Sequence, residues 1–409
     1  MARLHVIVVG AGIGGLAAAA ALRQNGHQVE IFESSHFEEE IGAGIGLPPN
    51  AVKILKYLSC NLEELHCVPY EGVVTFFANG SEGLPQTLHH IARRFGENWL
   101  LCHRVDLHAA LKNLACGASV PKSTNAQMSG PPAVLHLGKK VVDYNATLGA
   151  VTLENGTVQY GDLIVAADGI RSACRSILPG NPMKVEPSNI AAYRWMVDRS
   201  IVKTHPELDW VTAGPSGPKI VTTADSRVLI VYPCRDGKLL NVLGIHSDHG
   251  QDGKDWNRPA TQAEVTDMFS DCHPQFIKFI SLAENIRLWQ MRCTPVLNAW
   301  VDGSIALLGD AAHATLPTFG QGFALALEDA ITLGVLFSSE SAAINVPERL
   351  KAYQLLRKQR AEYVAGQSRD QIIFPTMRGL FYRSPEMQQD IMGYDARKVA
   401  ETFFQSIPS

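Results

Sequence analysis

The chain has 409 residues, 46% of them hydrophobic and 19% charged, and Lys+Arg 36 against Asp+Glu 40 leave a net charge of −4. That length suggests two or three domains, and the apolar fraction excludes a disordered or collagen-like chain. No basic surplus points to nucleic acid or an anionic membrane. Cysteines at 60, 67, 102, 116, 174, 234, 272 and 293 form no CxxC pair, so they fit reduced thiols in the cytoplasm better than a disulfide framework or a zinc site. No metal is expected.

Residues 6–22 form a nearly unbroken apolar and small-residue run, but glycines interrupt it at 10, 12, 14 and 15. A membrane helix would prefer Leu or Ile there and needs about 20 residues, and a signal peptide would need a basic start and a cleavage site. The run therefore reads as strand (residues 4–9), turn and helix (16–23), with Asn25-Gly26 ending the helix. A second strand, residues 28–33, ends in Glu33. In this arrangement Gly10 allows the tight turn, Gly12 lets the backbone approach a pyrophosphate, and Gly15 lets helix and strand pack closely. The helix N-terminus offers free N–H groups to phosphates, and Glu33 stands about where a carboxylate would meet ribose hydroxyls. The motif predicts a bound dinucleotide without choosing between FAD and NAD.

A second glycine cluster, Gly42-Ala43-Gly44-Ile45-Gly46, precedes an amphipathic helix over 51–58 and suits close approach to a flat ligand, or an ordinary loop. Arg104 opens a helical pattern after Cys102-His103 and could clamp a diphosphate. Residues 117–132 read as a loop, 139–144 and 149–153 as strands, and Asn155-Gly156 as a hairpin turn. A buried strand then runs into Asp168-Gly169, with Arg171 and Arg175 on the next turns, which suits a dinucleotide crevice. Residues 185–294 alternate strand-like stretches with polar turns and predict a mostly antiparallel sheet. Another buried strand ends in Gly309-Asp310, and Asp310 could bind polyol hydroxyls. His313, Pro317 and a helix from Gly322 follow, aiming N–H groups at a negative centre. The tail from Pro347 reads as helical and charged, with no catalytic signature of its own.

These motifs, taken in order, resemble those of the class A flavin-dependent monooxygenases. Three fingerprints carry the resemblance: Gly10–Gly15 with Glu33; Asp168-Gly169-x-x-Ser172-x-x-Arg175; and Gly309-Asp310 with Ala311, His313 and Pro317. Secondary matches lie at residues 40–45, at His103-Arg104-x-Asp106-Leu107, at Tyr232-Pro233-x-Arg235-x-Gly237 and at Gly393-Tyr394-Asp395-Ala396. The resemblance spans nearly the whole chain and is strongest to salicylate hydroxylase-like and 3-hydroxybenzoate 6-hydroxylase-like enzymes, particularly fungal members of secondary metabolism.

The resemblance implies an α/β fold with a Rossmann-like FAD-binding domain (1–70, 100–184 and 295–345). It further implies an inserted antiparallel substrate domain (71–99 and 185–294) and a C-terminal helical region (346–409). It implies FAD held by Gly10, Gly12 and Gly15 at the pyrophosphate, Glu33 at the adenosine ribose, and Gly44, Gly46 and Arg104 on the flavin side. Asp310 would hold the ribityl chain, and Gly322 and Phe323 would open the helix under the pyrimidine edge. Asp168 and Pro317 complete the expected cofactor set. NADH or NADPH would visit as co-substrate, and reaction with O2 would give a C4a-hydroperoxyflavin that hydroxylates a phenolic ring. Arg194 would favour the phenolate form of the substrate, with Tyr232 as its partner. A salt bridge within the sheet and simple core packing are the competing readings of these two residues. His313 reads as structural, His246 as a residue that could face the pocket, and Trp195, Trp210, Trp289 and Trp300 as core. The expected partners are a small aromatic substrate, NAD(P)H and O2, and the expected assembly is a monomer or homodimer.

The rivals are epoxidation or oxidative rearrangement on the same scaffold, and a non-catalytic flavin-fold binding protein. The WxWxIP run of flavin halogenases and a second GxGxxG do not occur.

Overall fold

The first strand, His5–Val9, is buried along most of its length and lies in the middle of a parallel sheet. In this computed structural model, which describes residues 3–36, 42–117, 130–182, 184–248, 256–338, 345–373 and 380–406, that sheet has six strands. Their order is Val301–Asp302, Ile305–Leu307, Leu163–Ala166, His5–Val9, Gln28–Phe32, Val134–His136. All neighbours are parallel except the first pair, which is antiparallel. Strands this apolar need cover on both faces. On one of them the helix Ile13–Gln24 crosses the helix Gly322–Leu336 so closely that a Cβ on Gly334 would lie 2.9 Å from that of Ala21. The alanine run 17–21 is what allows this approach, and Asn25 Nδ2 ties it by donating to Ala21 O (2.9 Å) and Gly334 O (3.0 Å).

A second, eight-stranded sheet runs Asn257–Pro259, Arg287–Cys293, Glu186–Asp198, Leu239–Ser247, Val228–Cys234, Lys219–Thr222, Gly72–Phe77, Gln86–Thr87. Only Lys219–Thr222 and Gly72–Phe77 pair in parallel. Side chains alternate across this sheet. Tyr193, Trp195, Leu240 and Val242 face a core closed by Trp210, Phe269, Phe276 and Phe279. Ile220, Ile230 and Ile245 face the other way, toward a cavity. Trp195, Trp210 and Trp300 are buried, while Trp289 is half-buried. A small sheet of Gly44–Leu47, Leu100–His103 and Val68–Pro69 carries the second glycine cluster. The strands expected near 139–153 appear as the antiparallel set Val141–Asn145, Ala150–Leu153 and Val158–Tyr160, with Gly156 at a positive φ of 84° in the turn.

The C-terminal region is helical: Val346–Ile373, Leu380–Arg383, Pro385–Met392 and Ala396–Ser406. Among the described residues no helix is long and apolar enough to cross a membrane. Most of the loop expected over 117–132, and Glu40-Ile41 of the secondary match, lie outside the described residues.

Candidate active site

The glycine turn has three separate physical reasons for its glycines. Gly10 sits at φ 97°, and a Cβ there would collide with the carbonyl of Ala167. A Cβ on Gly15 would strike the carbonyl of Gly10. On Gly12 it would meet nothing within 4 Å, so this residue leaves open space above the loop. The turn is held in shape from outside. Glu33 Oε2 accepts from Ala11 N–H at 2.7 Å, and His108 Nε2 contacts the Ala11 carbonyl at 2.8 Å. His108 was not foreseen, because a histidine inside a helix shows its partner only once the helix is docked.

Around Asp168 the chain is tied together. Oδ2 accepts from Tyr144 OH (3.0 Å), Ala173 N–H (2.9 Å) and Cys174 N–H (3.3 Å), whereas Oδ1 is buried without a hydrogen bond. Arg175 donates to Ile170 O at 2.7 Å and to Ala311 O at 3.2 Å, joining this motif to the one at Gly309-Asp310. Asp310 is exposed yet ringed by protein. That crowding pushes its carboxyl above the usual range against the pull of His313, Arg104 and Arg175. Pro317 is exposed on the following loop, and Gly322 and Phe323 are half-buried in the first turn of a 15-residue helix whose N-terminus no side chain caps.

On the other side of the groove the Gly44 N–H donates to Asn241 Oδ1 at 2.7 Å, and a Cβ on Gly44 would collide with the ring of Tyr232. Gly46 pairs with Leu101 across the strands, and the Arg104 N–H donates to Ala43 O at 2.8 Å. Two secondary motifs meet here: Arg235 forks onto Asp106 (2.6 and 2.8 Å). Burial acts to raise the Asp106 carboxyl, but this pair holds it below its ordinary range. The open space at Gly12, the uncapped helix and the crowded, reachable Asp310 fit a dinucleotide with a polyol linker.

Beyond this groove lies a cavity of about 710 Å³, walled by Ile190, Ile220, Ile230 and Ile245 and roofed by the loop at Leu316–Phe319. The tail closes it with Gln371, Phe381 and Tyr382, a contribution the charged helical pattern did not foreshadow. Arg194 and Tyr232 project from the same sheet face but do not line the cavity. Register puts Arg194, Leu243 and Ile230 in one row across three strands, so Arg194 stands about 10 Å from Ile230, two strand spacings away. Its Nε is buried without a hydrogen bond, its guanidinium lies over Trp289 (5.9 Å), and no salt bridge engages it among the described residues. Burial lowers its pKa, Tyr232 opposes that and Arg104 adds to it. Burial also raises the Tyr232 hydroxyl, against Arg194. His246 is among the lining residues; register puts its ring on the reverse face, stacked on Tyr193 at 5.1 Å, with Nε2 buried and without a hydrogen bond.

Sequence reasoning also missed a buried ionic network behind the site. His313 Nε2 meets Asp329 Oδ2 at 2.6 Å, and Asp329 also accepts from Gly309 N–H (3.0 Å) and Arg357 Nε (2.9 Å). Glu328 binds Arg357 (2.8 Å), Arg360 (3.3 Å) and Asn50 (2.8 Å), and both arginines lie over the Tyr394 ring. Burial alone would raise the Asp329 carboxyl, but His313, Arg357 and the Gly309 N–H hold it below its usual range.

Residues 3–368 match the FAD binding domain family, and the chain belongs to it as an FAD-dependent monooxygenase. It is 42% identical to the hispidin-3-hydroxylase of Neonothopanus nambi over 98% of this chain and 97% of that one. With the 3-hydroxybenzoate 6-hydroxylase of Polaromonas naphthalenivorans (strain CJ2) it shares 30% identity, over 89% and 85% of the two chains. Among solved structures, CtdE in complex with FAD and substrate 4 superposes with a TM-score of 0.81 at 20% identity, covering 99% of this chain and 98% of that one. A salicylate hydroxylase substrate complex gives 0.77 at 23%, covering 100% and 99%. These structural likenesses show the shared fold.

Proposed function

We propose that the protein hydroxylates an electron-rich phenolic ring, using FAD, NADH or NADPH, and O2. Bound FAD, reduced by the nicotinamide cofactor, supplies oxygen activation, and the chain supplies position, dryness and charge. Gly10, Gly12, Gly15 and the helix behind them would hold the pyrophosphate, and Glu33 the adenosine ribose. Gly44, Gly46 and Arg104 would line the flavin side, and Asp310 would hold the ribityl chain. Asp168, Pro317, Gly322 and Phe323 would frame the remainder.

The observation that carries the reading is Arg194, a cation with a buried, unbonded Nε on the sheet face that leads into the cavity. Arginine stays protonated at neutral pH, so the site lacks a negative partner. A substrate phenolate would supply one. The same charge lowers the phenol's pKa and makes its ring more nucleophilic. Tyr232, kept protonated by burial, would donate to the phenolate oxygen. Hispidin, named in the 42%-identical relative, is the first substrate to test. We further propose a cytoplasmic setting, which the eight free thiols support.

The test is NADH and NADPH oxidation with hispidin and simple phenols, measuring hydroxylated product and peroxide together. Arg194→Ala should keep FAD and lose coupled hydroxylation by about 100-fold, the usual scale for removing one charge-stabilising group. Unchanged turnover in that variant removes Arg194 from the reaction, and a colourless purified protein sinks the reading altogether.

A further inference from the structure

Among the described residues that line the cavity, two side-chain nitrogens are buried without a hydrogen-bond partner: Nε2 of His246, whose ring stacks on Tyr193, and Nε2 of Gln371. Gln371 is 7% exposed, lines the cavity, and its Nε2 is buried with no hydrogen-bond partner. Three other polar groups of the lining are engaged by the chain. Thr318 Oγ1 donates to Ser368 O (3.2 Å), Ser188 Oγ to Met291 O (2.8 Å), and the Tyr382 hydroxyl accepts from Tyr70 OH (2.9 Å). An unmet buried amide donor is destabilising, and one held at a cavity wall has room for a partner that arrives with a ligand.

The charges point the same way. Glu186 and Arg369 line the cavity, but both are exposed and of opposite sign. Less exposed parts of the wall include the isoleucines at 190, 220, 230 and 245, with Phe381. Among the described lining residues such an interior offers no buried Lys or Arg to a substrate carboxylate. The size, about 710 Å³, is within the range of sites for drug-sized ligands.

We propose that Gln371 is the specificity-determining residue for an uncharged, multi-ring phenol, its side-chain amide donating to a carbonyl or ring-ether oxygen of the substrate. This rests on the hydroxylase reading above, in which the reacting hydroxyl lies toward Arg194 and the rest of the molecule fills the cavity.

The test is equilibrium binding to the FAD-loaded protein, followed by the flavin absorbance change, with no turnover. The probes are 7-hydroxycoumarin, which carries a lactone, and 2-naphthol, which has the same outline without it. 6-Hydroxy-2-naphthoate serves as the charged control. The wild type should prefer 7-hydroxycoumarin over 2-naphthol by about tenfold, the size of one hydrogen bond to a buried donor, and should bind the naphthoate more weakly than either. Gln371→Leu should erase the preference and leave 2-naphthol binding unchanged. Gln371→Met, which keeps the length and removes the donor, should do the same and serves if the leucine variant fails to hold FAD. Absence of a preference in the wild type, binding of neither neutral probe, tighter binding of the naphthoate, or a preference that survives both substitutions overturns the proposal. If Gln371→Leu erases the preference but no phenol is hydroxylated, the activity reading fails and Gln371 keeps only its role as a contact to the bound ligand. If phenols are hydroxylated and the preference ignores Gln371, the reverse holds.

Discussion

Arg357→Met tests whether the ionic network behind the site is a working part of the fold. Arg357 is fully buried, with Nη2 at 2.8 Å from Glu328 and Nε at 2.9 Å from Asp329, both of them fully buried as well. Methionine keeps much of the volume and removes the charge. Breaking a buried ion pair from one side costs about 3–5 kcal/mol. Here Glu328 retains Arg360 and Asn50, and Asp329 retains His313 and the Gly309 N–H, so the lower end, about 3 kcal/mol, is expected. At ~2.1 cal/mol/K per residue, unfolding 409 residues carries an entropy of ~0.9 kcal/mol/K, so Tm should fall by about 3–4 °C. Calorimetry at pH 7 reads this directly. FAD content should fall too, because Asp329 fixes Gly309, the residue before Asp310.

The pH dependence follows from the depressed Asp329 carboxyl. Its stabilising share is fully present above the unfolded-state value, about 3.9, and is lost as pH falls through the lower folded-state value. The gap between wild type and variant should therefore hold from about pH 7 to 5 and close only below about pH 4. A Tm change under about 1 °C, or a gap that closes near neutral pH, would refute the reasoning.

Two further substitutions probe the cofactor groove. Gly12→Val places its side chain in open space at an extended residue (φ −69°, ψ 179°), so thermal stability without cofactor should hold while FAD affinity falls at least about tenfold, since the side chain occupies the phosphate's approach. FAD titration of the stripped protein checks this, and unchanged affinity counts against a pyrophosphate at Gly12. Gly44→Ala drives a methyl into Tyr232 and Asn241 and should cost about 1–3 kcal/mol as an overpacked contact. An unaltered denaturation midpoint would mean that the two strands part easily.

What the sequence revealed, and what it concealed, divides along a physical line. Gly10 and Gly15 were legible because the turn forbids a Cβ there, whatever the rest of the chain does. The antiparallel sheet was legible from alternation, but alternation does not say which face meets the cavity. That needed the register Ala191–His246, which turns His246 away. Arg357 and Arg360 belong to a tail that the sequence shows only as helical and charged. Only docking against Gly322–Leu336 brings them to Glu328 and Asp329. Gln371 was invisible for the same reason: a glutamine's value lies in what it fails to bond, and that is a property of the packed cavity.

The strand order of the parallel sheet also sets a timetable for biosynthesis. His5–Val9 takes Leu163–Ala166 as one neighbour, and Ile305–Leu307 joins outside that. At about 5–20 residues per second, the neighbour leaves the ribosome roughly 8–30 s after the first strand, and the outer strand roughly 15–60 s after it. Throughout that wait the Val-Ile-Val-Val strand pairs on one side only, with Gln28–Phe32, and the alanine-rich helix lacks Gly322–Leu336, so the open edge is a template for pairing with other nascent chains. Elongation rate and chaperone supply, more than the stability of the finished molecule, should govern how much of this enzyme a host can make.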